Sequence, residues 1–247
     1  MEHVLNKLKV FDDPNFKFDP VEHKYTLDGE HFISVTQFIS RFHKEFDSDY
    51  WSKVKAEQAG ISQEEMLAQW KSLNDRANFV GSAMHNWIEN YFNQVWQELP
   101  LDLDVIDRIN KFNKIYATSL YKLKPIKFEQ RIFSRKWRIA GMMDALFEYN
   151  GNVFIVDWKS NSKWTHDGHE KGKKEPLLYP FNDYYKNHLN EYSIQVSLYK
   201  LILREIGIEI KTAYLVHIPS YEEATIYKTH DFSNILEEYL TTENLVK

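Results

Sequence analysis

Two aspartates and a lysine, Asp144, Asp157 and Lys159, stand within one short stretch, residues 141–160, GMMDALFEYNGNVFIVDWKS. Residues 145–149 are apolar-rich and extended in character. Asn150-Gly151 is a tight hairpin signal, and residues 153–156 form a β-branched run with Phe154 inside it. This pattern predicts a β-hairpin, with Asp144 before the core of its first strand and Asp157 where the second strand emerges. Period-two geometry puts Asp157 and Lys159 on one side of the extended chain and Trp158 on the other. Two carboxylates that converge across a hairpin, with an ammonium beside them, can hold a hard divalent metal and handle a phosphate.

Each residue also has a plainer reading. Asp144 could cap a turn, Asp157 could owe its place to an ion pair with Lys159 alone, and Lys159 could be a surface lysine. Asp157 follows four apolar strand residues, however, where an unpaired carboxylate is costly. Metal ligation accounts for both its depth and its charge. His85 recurs with Ile88, Phe92 and Val95 on one helical stripe, where a histidine is often a hydrogen-bonded core residue. Glu89, four residues on, is a weaker candidate. Glu129 alternates with Lys127 and Arg131 against Ile126, Phe128 and Gln130, so its polar face either meets solvent or turns to the acidic centre. Gln195 and Tyr199, spaced i,i+4, share a helical face, with Tyr192 nearby.

The elements that must position these groups follow from pattern and punctuation. Residues 16–19, 23–27 and 31–35 read as short strands with Asp28-Gly29 as a turn, and Ser34 or Thr36 can cap a helix running to about Phe42. Residues 48–60 predict a helix. Ser62 with Glu65 is a capping box opening a helix toward Trp96, with a break expected near Gly81. A helix over 103–119 offers Ile106, Ile109, Phe112 and Tyr116 for burial. Strands over 126–133 and 137–140, joined by Ser134-Arg135-Lys136, precede the hairpin. Residues 161–187 are long and polar enough for a functional loop. A helix over 188–206, strands over 212–219 and 225–228, and a helix over 232–239 complete the chain. The order predicts an α/β fold with a mixed central sheet flanked by helices. It also predicts one domain, 1–247, with residues 1–60 packed on the core rather than independent.

The chain contains no cysteine, which excludes disulfides, thiol catalysis and cysteine-ligated zinc. No apolar run is long enough to predict a membrane helix, and the start is no signal peptide. A formal net charge of -5 argues against a passive nucleic-acid coat but not against an enzyme with a local basic track. No phosphate-binding loop of the Gly-x-x-x-x-Gly-Lys type occurs, so no helicase motor is expected within this sequence.

Asp144 with Asp157-Trp158-Lys159 resembles the core of the PD-(D/E)xK nuclease superfamily. The fuller pattern resembles its RecB-like exonuclease branch: Gly81-Ser-Ala-Met-His85, Gly141-Met-Met-Asp144, Asp157-Trp158-Lys159-Ser160 and Gln195-Val-Ser-Leu-Tyr199 occur in that order. A lone D-x-K is weak evidence, and four ordered motifs are far more specific. The phrase FDPVEHKYTLDGEHFISVT also resembles the N-terminal signature of phage and mitochondrial exonucleases of this branch. Read from the residues alone, it is a hairpin entering a helix.

The resemblance implies a restriction-endonuclease-like core and a metal-dependent DNA exonuclease acting on single strands or ends. A structure-specific endonuclease and a catalytically silent DNA-binding recombination scaffold are the alternatives. It implies Mg²⁺ or Mn²⁺ held by Asp144, Asp157, the backbone carbonyl of Trp158 and His85, with Glu129 close by; a histidine ligand would make manganese a natural activator. Lys159 would orient water or stabilise phosphoryl charge, and Gln195 and Tyr199 would position substrate or Lys159. The iron–sulfur cluster of some relatives is excluded by the missing cysteines. Two groups are expected to contact nucleic acid: Arg131, Arg135 and Lys136, with Arg138, as a phosphate track, and Lys163, Trp164, Lys171, Lys173 and Lys174, with Tyr179, as a loop combining charge and stacking surfaces. A solvated loop is the plainer reading of the second group. The implied setting is replication, recombination or repair in a bacterial or phage-infected cytoplasm, with partner proteins of those processes.

Overall fold

The computed structural model describes residues 1–165 and 175–242. After a short helix α1 (Glu2–Leu8), which has no counterpart among the expected elements, three strands form a meander: β1 (Phe16–Asp19), β2 (Lys24–Leu27) and β3 (Glu30–Ser34). Asp28 and Gly29 both take positive φ, 54° and 81°, the requirement of a tight turn between right-twisted strands. Ser34 caps α2 (Val35–Ile39): its hydroxyl accepts from the Gln37 N–H, and the Gln37 side chain answers to the Ser34 N–H. The cap therefore falls on Ser34 rather than Thr36. Helix α3 (Ser48–Ala59) ends at Gly60 in the left-handed conformation. The Ser62–Glu65 capping box then opens α4 (Gln63–Phe92) as expected. No break occurs at Gly81, because that glycine serves packing rather than termination.

The rest of the chain is α5 (Leu103–Ile115) with a turn of π-helix over Tyr116–Leu120, β4 (Lys124–Ser134), β5 (Ile139–Tyr149), β6 (Asn152–Lys159), α6 (His188–Glu205), β7 (Ile210–His217), β8 (Thr225–Lys228) and α7 (Ser233–Thr242). The Asn150-Gly151 turn joins β5 to β6 with both residues at positive φ. Eight strands form one mixed sheet, with β3–β5 and β6–β7 parallel and the remaining pairs antiparallel. One face packs on α2, α6 and α7 through Phe38, Leu198, Ile202, Leu236 and their neighbours. The other packs on α4 and α5 through Met84, Ile88, Phe112, Phe147 and Trp158. This is the α/β architecture with a central mixed sheet flanked by helices, consistent with a restriction-endonuclease-like core.

One irregularity matters for function. Strand β5 pairs with β4 along one edge. Along its other edge it pairs with β3 at Ile139–Ala140 and with β6 only from Ala145 onward. Residues 141–144 lie between these pairings, where β5 and β6 part. Side chains fill the opening. A Cβ on Gly141 would sit 2.9 Å from Tyr199 Cε1 and 3.0 Å from Val35 Cγ2. Gly141→Ala is therefore expected to lower stability by about 1–3 kcal/mol through overpacking. Gly81→Ala would meet only the Ser160 hydroxyl at 3.0 Å, which can rotate, while gaining about 1 kcal/mol of helix propensity. Urea denaturation of the two variants should separate them clearly, and equal midpoints would refute this account of the glycines.

Candidate metal centre and its cleft

The opening of the sheet holds Asp144. Its Oδ2 accepts the Trp158 N–H at 2.8 Å, so a carboxylate takes the place of a missing strand partner. Alternation then works as the sequence predicts. The Trp158 ring turns into the apolar layer, edge-on to Phe112 and Phe147. Asp157 and Lys159 share the opposite side, with Lys159 Nζ 2.6 Å from Asp157 Oδ2. That contact is a close, buried ion pair, and among the described residues no further donor is aligned on the Asp157 carboxylate. One ammonium leaves a buried carboxylate with lone pairs to spare, and a second cation would engage them.

Helix α4 delivers His85 to the same place. Gly81, one turn earlier, lets the helix approach Ser160 at the end of β6. His85 Nε2 lies 3.1 Å from the Trp158 carbonyl oxygen, while Nδ1 lies 3.5 Å from Glu129 Oε1 and 3.6 Å from Asp144 Oδ2. One potential ligand atom from each of His85, Glu129 and Asp144 falls within 4.8 Å of the others. Glu129 gets there by a backbone device. Its φ is +45°, a second irregularity of β4 after the register shift between Pro125 and Lys127, and it stands opposite Asp144 in the β4–β5 register without pairing. A non-glycine residue in this region carries roughly 1–3 kcal/mol of strain, which persists where surrounding structure holds it. The strained residue here is also the one whose carboxylate faces the histidine.

Helix α6 closes the site. Lys159 donates to Gln195 Oε1 at 3.1 Å, and Gln195 Nε2 donates to the Tyr199 hydroxyl at 2.9 Å. The Tyr199 ring covers Gly141, and the Tyr192 ring lies 4.1 Å below the Lys159 ammonium. The four motifs thus converge on a single centre. Its donor set, carboxylates with one imidazole and a backbone carbonyl within reach, fits a divalent cation that accepts oxygen and nitrogen.

Electrostatics agree with that fit. Burial would depress the His85 pKa, but the carboxylates of Asp144, Glu129 and Asp157 outweigh it and raise it to about 9. Burial, reinforced by Asp144, raises Asp157 to about 6 against the opposing pull of Lys159. Burial also raises Asp144, with His85 and Lys159 opposing. Burial would lower Lys159, but Asp157 reverses this and keeps the ammonium charged.

Without a cation, His85 is protonated at neutral pH, so its stabilising contribution is complete below about 6.5 and fades as pH rises through 9. Asp157 has the sign of a carboxylate with a raised pKa: it costs stability as pH rises from about 3.8 to about 6, and above that the cost is complete. A cation reverses both preferences by displacing protons. Mn²⁺ affinity should therefore climb between pH 6 and 9, with net proton release at pH 7.5. Calorimetric titration in two buffers of different ionisation enthalpy reads the release, and a folded His85→Ala variant should release fewer protons. A buffer-independent heat for the unaltered protein would refute the role of His85.

The expected nucleic-acid contacts divide. Arg135 binds Asp28 at 2.7 Å and Asp13 at 3.0 Å, and Arg138 pairs with Glu30, so both tie the β4–β5 turn to the N-terminal meander. Lys136 lies over the Trp137 ring and Arg131 over that of Phe18. The structure does not gather these four at the centre. Lys163 is exposed. Trp164 stacks on Tyr227, His217 and His188 of its own chain and does not present an open ring. Lys171, Lys173 and Lys174 lie outside the described residues, and Tyr179 is exposed with its ring edge to Tyr239. Sequence reading missed Arg108. It occupies the buried stripe of α5 with Val105, Ile109 and Phe112, and an arginine at that spacing was a usable signal.

Among known families, the model of the PD-(D/E)XK nuclease superfamily matches residues 37–242. No curated protein matches the chain. Solved structures with similarity include a candidate exonuclease from Eubacterium rectale, at 14% identity and TM-score 0.43, covering 69% of this chain and 64% of that one. Another is the protein SSO0001, at 14% identity and TM-score 0.33, covering 98% of this chain and 85% of that one. At these TM-scores neither neighbour adds to the assignment.

Proposed function

Because this chain belongs to the PD-(D/E)XK nuclease superfamily, we propose that it is a Mg²⁺- or Mn²⁺-dependent deoxyribonuclease of the RecB-like branch, working as an exonuclease on single-stranded DNA or DNA ends. The observation that carries the chemistry is the buried Asp157 carboxylate, paired with Lys159 and set beside the His85–Glu129–Asp144 cluster. The branch reading is supported by His85 lying in that cluster and by the Gln195–Tyr199 pair reaching Lys159 and Gly141.

Asp144, Asp157, His85 and Glu129, with the Trp158 carbonyl, would hold the cation. Bound there, it would supply Lewis acidity toward water and the scissile phosphate. The chain does the positioning. The Trp158 N–H fixes the Asp144 carboxylate, and Gln195 and the Tyr192 ring fix the Lys159 ammonium. Lys159 then meets phosphoryl charge as it develops, without reorganisation. A role in replication, recombination or repair, with proteins of those processes as partners, is part of the same reading. No described helix is long and apolar enough to cross a membrane.

End-labelled linear and circular single-stranded DNA, each with Mg²⁺, Mn²⁺ or chelator, test the proposal. Metal-dependent loss of linear DNA alone is the expected result. Cutting of circles would indicate an endonuclease, and binding without any loss would indicate a scaffold.

A further inference from the structure

A cleft of about 400 Å³ is lined by His85 and Lys159 of the centre, though not by Glu129, Asp144 or Asp157. Arg76, Asp104, Arg108 and Ser220 line it as well. The volume lies in the range of roughly 300–1,000 Å³ typical of small-ligand sites. Arg108 is the unusual member. It is only 5% exposed, yet its guanidinium finds no carboxylate at hydrogen-bond distance. Nη2 donates to the Ser160 carbonyl at 3.2 Å and to Ser220 Oγ at 2.8 Å, and Nη1 donates to the Asp104 carbonyl at 3.2 Å. Nε has no partner. The nearest carboxylate oxygen is Asp104 Oδ1 at 3.9 Å. Asp104 is already engaged: its Oδ2 accepts from Arg76 at 2.7 Å, and Arg76 also forks onto Asp102 at 2.5 and 3.0 Å. Arg76 is therefore satisfied by direct carboxylate contacts, while Asp104, Asp107 and Asp102 act on the buried Arg108 charge only from beyond hydrogen-bond distance and its direct partners are neutral oxygens.

Burying a charge in this way is costly unless an anion completes it. A planar guanidinium matches phosphate oxygens in particular. We propose that this cleft is a phosphate subsite for the nucleic-acid strand, anchored by Arg108 and holding a backbone or terminal phosphate neighbouring the scissile one. Assigning that phosphate to a DNA strand rests on the nuclease reading above; the anion site itself rests on Arg108 and the cleft. Arg108 also braces the Ser160 carbonyl just after Lys159, so the test must separate anion binding from bracing.

The experiment uses the full chain in chelator, so that binding does not depend on the metal. Thymidine 5′-monophosphate, thymidine 3′-monophosphate, thymidine and inorganic phosphate are titrated calorimetrically, with the Arg108 side-chain resonances of the unaltered protein followed by NMR. At least one monophosphate should bind ten-fold or more tighter than thymidine and shift the Arg108 resonances. Arg108→Lys keeps the charge but loses the fork, and it should weaken that monophosphate by about ten-fold while leaving thymidine unchanged. The resonance shifts need no variant, so a misfolded Arg108→Gln would not blunt the test. Two results overturn the subsite: equal binding of thymidine and monophosphates, or an Arg108→Lys protein that loses stability but keeps monophosphate affinity; inorganic phosphate binding as tightly as the nucleotides keeps the anion site and overturns its assignment to a nucleic-acid strand. No monophosphate binding by a protein that cleaves DNA also overturns the subsite and leaves the nuclease reading standing. Monophosphate binding by a protein that cleaves no DNA does the reverse, sinking the nuclease reading and keeping the anion site.

Discussion

Replacing Asp157 by alanine is expected to lower cleavage by about 10³-fold or more and to remove most of the stabilisation that a divalent cation confers. Its side chain is 1% exposed, paired with Lys159 at 2.6 Å and close enough to Asp144 and His85 to feel both charges. Losing a ligand that supplies several kcal/mol of charge stabilisation corresponds to roughly three powers of ten in rate. The equilibrium effect is separable from the rate. A cation at 100 times its dissociation constant stabilises the fold by about 2.7 kcal/mol, and a site weakened 100-fold retains about 0.4 kcal/mol at the same concentration. Thermal melts of both proteins with Mn²⁺ and with chelator read this difference before any DNA is added. Glu129→Gln should fall between the two, because Glu129 reaches the cluster only from the strained β4 and is more exposed than Asp157. If D157A shows the unaltered protein's full metal-dependent rise in Tm, the cation is held elsewhere.

Asp157 and Lys159 were legible because a strand alternates its side chains with no dependence on the rest of the fold. Their spacing alone places them together and sends Trp158 into the apolar layer. His85 was legible through helical spacing and through Gly81, whose missing side chain lets α4 reach Ser160. Glu129 was not. A strict alternation over residues 126–131 leaves its direction open, and the φ of +45° that turns it toward His85 is imposed by tertiary structure. Pairing was hidden for the same reason. The sequence reading breaks β5 into two strands around residues 141–144, whereas the structure runs one strand through them and loses pairing on a single edge. Gly141 marks that place, but only the Tyr199 ring and Val35 explain why a glycine is needed there. Basic residues were the least legible. Arg135 and Arg138 read as a phosphate track, yet they have carboxylate partners on the N-terminal meander. Arg108 read as one position in a helix, and it is the buried cation beside the centre. Charge in a sequence says nothing about which countercharge the fold will supply.

Lys159→Ala should separate chemistry from binding. The ammonium is held from three sides: Asp157 Oδ2 at 2.6 Å, Gln195 Oε1 at 3.1 Å and the Tyr192 ring at 4.1 Å. On the proposed nuclease reading, this preorganisation would fix a positive charge where negative charge grows on a phosphoryl oxygen, and the contact would be stronger in the transition state than in the ground state. Its loss should fall on the chemical step. A single-turnover rate lower by roughly 10²-fold or more is expected, comparable to the loss of one strong electrostatic donor. DNA affinity, measured in Ca²⁺ to suppress cleavage, should change far less, since a strand bound along the cleft would keep its other contacts. Lys159→Arg should remain poor, because a planar fork does not reproduce a compact ammonium seated between a carboxylate, an amide and a ring. Gln195→Ala should show a milder loss of the same kind, since it frees the ammonium without removing it. The measurement is pre-steady-state cleavage of an end-labelled single strand with folded enzyme in excess. Near-native single-turnover cleavage by K159A would show that Lys159 serves only to pair Asp157, and the buried ion pair would then be structural.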